Sequence, residues 1–258
     1  MNNIRITTVL AGIAILFAVD ACTVPSEVLK QQASIPTPLT IAQNGPRCGP
    51  ITPKAQHILD VPDASNVEIL WHMGTRVEWD TGEPDGSGIA DNEYNHTHCA
   101  AFAAAMSQRF GIYMLRPPYR PQLMLATAQG KWLRSTSATD TGWWKVGGPA
   151  QAQALANSGR LVVIIYESPD PNHHGHTAIV RPDARRTLTQ IEETGTEVTQ
   201  AGEHNHLHAT ERKGFSMHHG AWPNGAEYFA HDLPDTSSTQ QTRINIICCS
   251  QHNLAISA

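Results

Sequence analysis

Apolar positions change their spacing part-way along this chain, and the change divides it into a helical front and a strand-rich back. In Cys99-Ala100-Ala101-Phe102-Ala103-Ala104-Ala105-Met106, the large apolar residues Phe102, Met106 and Phe110 recur at i, i+4 and i+8. That spacing predicts one face of a helix, with Thr97 as N-cap and Gly111 as its stop. Arg116-Pro117-Pro118-Tyr119 breaks the chain, and a second helix is predicted from Pro121 to Trp132. A third begins at Pro149, a favourable first-turn residue, and ends at Gly159. The continuous run Leu161-Val162-Val163-Ile164-Ile165-Tyr166 then reads as a buried strand. Further strands are predicted at His176–Val180, from Glu197 to Gln200, and at Glu227–His231 as a closing strand. Val67–Trp71 fits either a strand or a short helix, and Asp80–Asn92, rich in Gly and Asp, reads as a loop. Asp235–Gln241 is rich in Ser, Thr and Gln and is expected to be mobile. Helices followed by an antiparallel-looking run of strands imply an α+β fold.

The ends add an address. Arg5 precedes an apolar stretch, Val9 to Val19, that is short for a membrane span and suits a targeting segment. Ala21-Cys22 after it resembles the bacterial lipoprotein lipobox, which implies lipidation of Cys22, and Thr23 implies an outer-membrane rather than inner-membrane destination. The expected organisation is a signal peptide at 1–22, a tether at 23–53, one catalytic domain at 54–233 and a tail at 234–258. Hydrophobic residues make up 40% of the chain and charged residues 16%, a balance that suits one domain with a substantial core. A net charge of −5 without a Lys/Arg cluster argues against nucleic acid as a partner.

The candidate chemistry centres on Cys99. A thiol at a helix start meets free backbone N–H groups and the positive end of the helix dipole, which favour thiolate. His176 opens an apolar strand and would take the thiol proton, which is the pattern of an activated Cys–His nucleophile. Taken singly, a cysteine among alanines is more often a core residue, and a strand-start histidine a hydrogen-bonded one. Among the other cysteines, Cys48 would pair with Cys248 or Cys249 in an oxidising compartment, the choice being open. Six of the 14 histidines form two clusters, at 173, 174 and 176 and at 204, 206 and 208. The second cluster would offer a His-only zinc site if it lay on one strand face, although surface loops account for it more simply. His98 either tunes the neighbouring thiol or faces solvent, and Trp79, Trp132, Trp143 and Trp144 either line a groove or fill the core.

From Asn95 to His231 the chain resembles the papain-like cysteine amidase and peptidase superfamily of the NlpC and CHAP type. The motifs that carry this are His98-Cys99-Ala100-Ala101-Phe102, Gly175-His176-Thr177-Ala178-Ile179-Val180 and Val198-Thr199-Gln200-Ala201-Gly202. The Asp-Cys-Ser-Gly of the NlpC group is replaced by His98-Cys99-Ala100-Ala101, which places the chain in a divergent branch. The resemblance implies a papain-like α+β fold with the nucleophile's helix packed on an antiparallel sheet. Cys99 would be the nucleophile, His176 the base, and Gln200 the residue that orients it, with Asn205 and Glu193 as alternatives. The oxyanion would be held by the Cys99 N–H and by the side chain of Asn95, with Tyr94 a weaker candidate. No cofactor or metal is implied. The expected activity is cleavage of a peptide or amide bond in peptidoglycan, in the periplasm, by a protein held to the membrane through Cys22. An acyl or peptidyl transferase on the same scaffold, or a non-enzymatic histidine-rich metal-binding lipoprotein, are the alternatives.

Overall fold

The computed structural model describes residues 50–89 and 97–234. The expectations for the leader, Cys22, Cys48, Tyr94, Asn95, Cys248, Cys249 and the segment after 234 therefore lie outside the described residues. The first element is helix α1 (Pro53–Asp63), at the expected tether–domain junction. The Thr52 hydroxyl caps it by accepting the Ala55 N–H at 3.1 Å, and Pro53 occupies its first turn. Residues 64–71 run in turns, with Asn66 and Trp71 both at positive φ. Val67–Trp71 is thus neither strand nor helix. Its apolar residues are used individually, Val67 and Trp71 as buried anchors, while Ile69 remains exposed.

Strands β1 (Thr75–Val77) and β2 (Pro84–Ile89) pair antiparallel, where a loop over 80–92 was expected. Backbone pairing with β1 overrides the Gly- and Asp-rich composition of β2. Gly82 sits in the turn at φ 76°, where an added Cβ would lie 2.2 Å from the Trp71 indole.

Helix α2 (Cys99–Arg109) follows, with every residue from Cys99 to Ser107 buried. A helix apolar all round is a core helix, and its alanines leave room for neighbours on several sides. Its N-cap is His98, not Thr97: His98 holds the non-helical φ of −113° and ψ of 15° at the boundary, and no side chain caps the helix. Helix α3 (Leu125–Leu133) starts later than Pro121, as Met124 holds a left-handed conformation and blocks an earlier start. A short helix α4 (Thr136–Asp140) and strand β3 (Trp144–Val146) lead to α5 (Pro149–Asn157), which begins at Pro149 as expected. Then come β4 (Arg160–Tyr166), β5 (His176–Val180), α6 (Leu188–Thr194), β6 (Glu197–Gln200), β7 (His206–Thr210), α7 (Glu211–Gly214) and β8 (Glu227–Asp232).

Six of these strands form one sheet in the order β3-β8-β4-β5-β6-β7, with every neighbouring pair antiparallel. β8 does not close an edge; it inserts between β3 and β4. Alternation along β4 separates two cores. Leu161, Val163 and Ile165 pack with Phe102 and Met106 of α2, whereas Val162, Ile164 and Tyr166 pack with Ala152 and Ala156 of α5. On β5, Ile179 belongs to the α2 side and Ala178 and Val180 to the α5 side. The architecture is α+β, helices on both faces of an antiparallel sheet.

Candidate active site

β5 and β6 pair antiparallel, Val180 opposite Val198, and this register carries His176 and Gln200 to the same end of the sheet. The His176 ring is buried, and its Nε2 lies 3.0 Å from Gln200 Oε1. The amide is pinned from its other end, where Gln200 Nε2 donates to the carbonyls of Gly214 (3.1 Å) and His204 (3.3 Å). With the NH₂ group committed to two carbonyls, Oε1 faces the imidazole and has to accept. His176 Nε2 therefore carries the proton, and Nδ1 is the basic nitrogen. Gly214 is required for this clamp, since a Cβ there would meet Gln200 Oε1 at 2.3 Å. Across the ring, His218 stacks on His176 with centroids 4.5 Å apart and planes 19° off parallel, and Phe215 meets it edge-on at 4.7 Å. Gly202 closes a further side, 3.1 Å from Cε1 for an added Cβ.

Burial, reinforced by the neighbouring His218, pulls the His176 pKa down to about 3, against the opposing effect of the Gln200 hydrogen bond. Burial also takes His218 down to about 4, with His174 adding to the shift. Both rings are neutral at pH 7.

Cys99 reaches β5 from the α2 side. The backbone N–H groups of Thr177, Ala100 and Cys99 itself and the Thr97 hydroxyl act to lower the thiol's pKa. These donors favour thiolate, yet burial outweighs them and pushes the thiol up. The helix-start position alone thus does not produce the resting thiolate expected from sequence, and a neutral thiol stands beside a strand headed by a neutral imidazole. The structure brings His176 and Gln200 into direct contact and brings Cys99 to the next residue of the strand. Among the described residues, no hydrogen bond joins the thiol to the His176 ring, which lies on the α5 side with Phe215.

A cleft of about 650 Å³ opens over this end of the sheet, lined by Thr97, Tyr166, His176, Glu203, Met217 and His218 among others. A smaller pocket beside it is lined by Cys99, Gln122, His174 and Gly175. Thr97 and His174 border both, so the Cys99 pocket adjoins the cleft over His176.

The alternatives for the third residue fall elsewhere. Asn205 accepts the Gly202 N–H at 2.9 Å and donates to the carbonyls of Val67 (2.7 Å) and Leu70 (2.6 Å), which ties the β6–β7 turn to the 64–71 turns. Glu193 is exposed on α6, away from the site. His98 does not face solvent; it is buried and bonded through both ring nitrogens. His204 precedes β7, so His204, His206 and His208 do not share one strand face. Among the described residues, no group of three His, Cys, Asp or Glu side chains would hold a metal ion. Trp143 is core, its Nε1 donating to the Tyr113 carbonyl at 2.8 Å, and none of Trp79, Trp132, Trp143 and Trp144 lines the cleft. Trp79 instead carries the Arg116 guanidinium over its ring at 5.5 Å.

Sequence reasoning missed His218 and Phe215, which flank His176. They lie outside both histidine clusters, in a loop after α7, and only the fold brings them to β5. Comparison of the chain with family models and with curated proteins gives no match.

Proposed function

We propose that this protein is an exported, lipid-anchored cysteine amidohydrolase with a papain-like site, acting on a peptide or amide bond of peptidoglycan. The observation that carries the reading is the Gln200 clamp on His176. An amide fixed by two carbonyls dictates one tautomer of a buried imidazole, and that imidazole lines a cleft that adjoins a cysteine pocket.

In this reading His176 Nδ1 takes the Cys99 proton as sulfur attacks the carbonyl carbon, so thiolate forms with attack rather than before it. The N–H groups at the head of α2 stabilise the oxyanion. Collapse expels the amine, which takes the proton back from His176, and water releases the acyl group from sulfur. Transfer to an amine in place of water would use the same residues. The metal-binding alternative has no site among the described residues. Anchoring through Cys22 is part of the proposal and rests on the lipobox-like residues alone.

The test is digestion of purified sacculi, with fragments identified by mass, by the parent protein and by Cys99→Ala, His176→Ala and His174→Ala. Release of peptide fragments that is lost with Cys99→Ala and His176→Ala and kept with His174→Ala supports the assignment. Release that survives Cys99→Ala refutes it, and loss with His174→Ala alone moves the base to His174, which also borders the cysteine pocket.

A further inference from the structure

His98, the residue before the nucleophile, is 2% exposed, and both of its ring nitrogens point at oxygen. Nε2 lies 2.8 Å from the Thr75 carbonyl of β1, and Nδ1 lies 3.0 Å from Gln122 Oε1. A backbone carbonyl only accepts, so Nε2 carries a proton. The Gln122 amide is fixed in turn, because its Nε2 donates to the Val77 carbonyl at 2.8 Å. Turning the amide over would set Oε1 against that carbonyl oxygen. Leaving it in place sets Oε1 against Nδ1, and two lone pairs at 3.0 Å repel unless Nδ1 also bears a proton. Every neutral form of His98 leaves one acceptor facing another in a buried corner, and only the imidazolium satisfies all three contacts.

We propose that His98 is a buried imidazolium that positions Cys99 and supplies the positive charge its thiolate needs. This inference rests on Cys99 being the nucleophile, as proposed above. It resolves a difficulty in that site, since the His176 ring resists protonation and Gln200 brings no charge. A buried cation at a helix N-terminus is opposed both by desolvation and by the helix dipole. The two oxygen acceptors on its ring offset that cost at rest, and a thiolate formed one residue on during attack meets a charge already in place, so protonation of His98 and ionisation of Cys99 favour each other. Gln122 also lines the small pocket beside Cys99, so this corner borders the thiol. Among the described residues, the titratable and charged groups on the elements beside it are Cys99 on the same helix, His174 on the rim of the Cys99 pocket, His176 at the head of β5 and Arg76 next to Thr75 on β1.

Two measurements on the full chain test this. In ¹⁵N-histidine spectra at pH 7, the signals missing from His98→Gln identify the ring, which is expected to show two protonated nitrogens in the parent. Separately, the rate of Cys99 alkylation by iodoacetamide is followed against pH. His98→Gln and Gln122→Leu are each expected to move the thiol's ionisation up by about one to two pH units, slowing alkylation at pH 7 about 10- to 100-fold. A purely structural His98 would leave the position of that profile unmoved. A bare nitrogen on His98 at pH 7, or an unmoved alkylation profile in His98→Gln, overturns the proposal. Neither readout needs a substrate, so absence of sacculus digestion by the parent would refute the hydrolase reading and leave this inference standing.

Discussion

Replacing Gln200 with alanine tests the proposed base, His176, more sharply than replacing His176 itself. The substitution removes the acceptor for the His176 Nε2–H and the donors for the Gly214 and His204 carbonyls. His176 is buried, so its N–H has no water to turn to, and a buried orphan of this kind costs about 1–3 kcal/mol. With the two carbonyls added, one of them beside the exposed His204, the expected loss of stability is about 2–4 kcal/mol, read as a lower denaturant midpoint. The chemical effect is separate. Without the amide, Nδ1–H and Nε2–H forms both populate and the ring is free to turn, which reduces turnover about 10- to 1,000-fold with KM little changed. The loss stays smaller than that of His176→Ala, because orientation is only part of general-base catalysis. Two measurements separate the effects: ¹⁵N spectra give the His176 tautomer, and steady-state release of peptidoglycan fragments gives kcat. Gly214→Ala is expected to act in the same direction, since its Cβ would occupy the space of Gln200 Oε1. A folded Gln200→Ala protein with an unchanged His176 tautomer and unchanged kcat would refute the reasoning.

Asn205→Ala is expected to behave differently. It loses three contacts to Gly202, Val67 and Leu70, so stability falls by about 1–3 kcal/mol while the His176 tautomer and the pH profile of turnover stay put; a displaced tautomer would return Asn205 to the base. Acid should destabilise the fold through His176 and His218, whose folded pKa values of about 3 and about 4 lie below the ordinary 6.5. Between those limits the unfolded chain binds protons that the folded one refuses. Stability is therefore unaffected by these groups above about pH 6.5 and declines below it, by up to about 1.4 kcal/mol per pH unit for each histidine. Urea midpoints from pH 7 to pH 4.5 check this, and His218→Phe should make the slope shallower; an equal slope in the variant would show that His218 takes no part.

Much of the interior was legible because its pattern is local. The i, i+4, i+8 spacing of Phe102, Met106 and Phe110, the proline at 149 and the continuous run from Leu161 to Tyr166 each report on neighbours close in sequence. The pairing of His176 with Gln200 was also accessible, since both residues lie on strands that adjoin in sequence and in the sheet. What escaped depends on contacts across long separations. β2 exists because β1 pairs with it, not because Pro84-Asp85-Gly86-Ser87 favours a strand. The place of β8 between β3 and β4 is set by residues 60 or more positions away, which no window along the chain contains. The resting state of Cys99 was misjudged for a related reason: helix position is local and legible, but burial is a property of the assembled core, and here burial dominates.

The manner in which His176 is held has a bearing on ionic strength. Sites that orient their base with a carboxylate depend on a charge, and where that charge is partly exposed, salt weakens it over a screening length of about 8 Å at 0.15 M. Here the orienting group is an uncharged amide, braced by two backbone carbonyls and enclosed by Phe215, Gly202 and Gly214. Dissolved ions have little in that clamp to screen. The His176 ring would be held equally in dilute and in concentrated salt, and any salt sensitivity of the protein would have to enter elsewhere, through exposed pairs such as Arg160–Asp232.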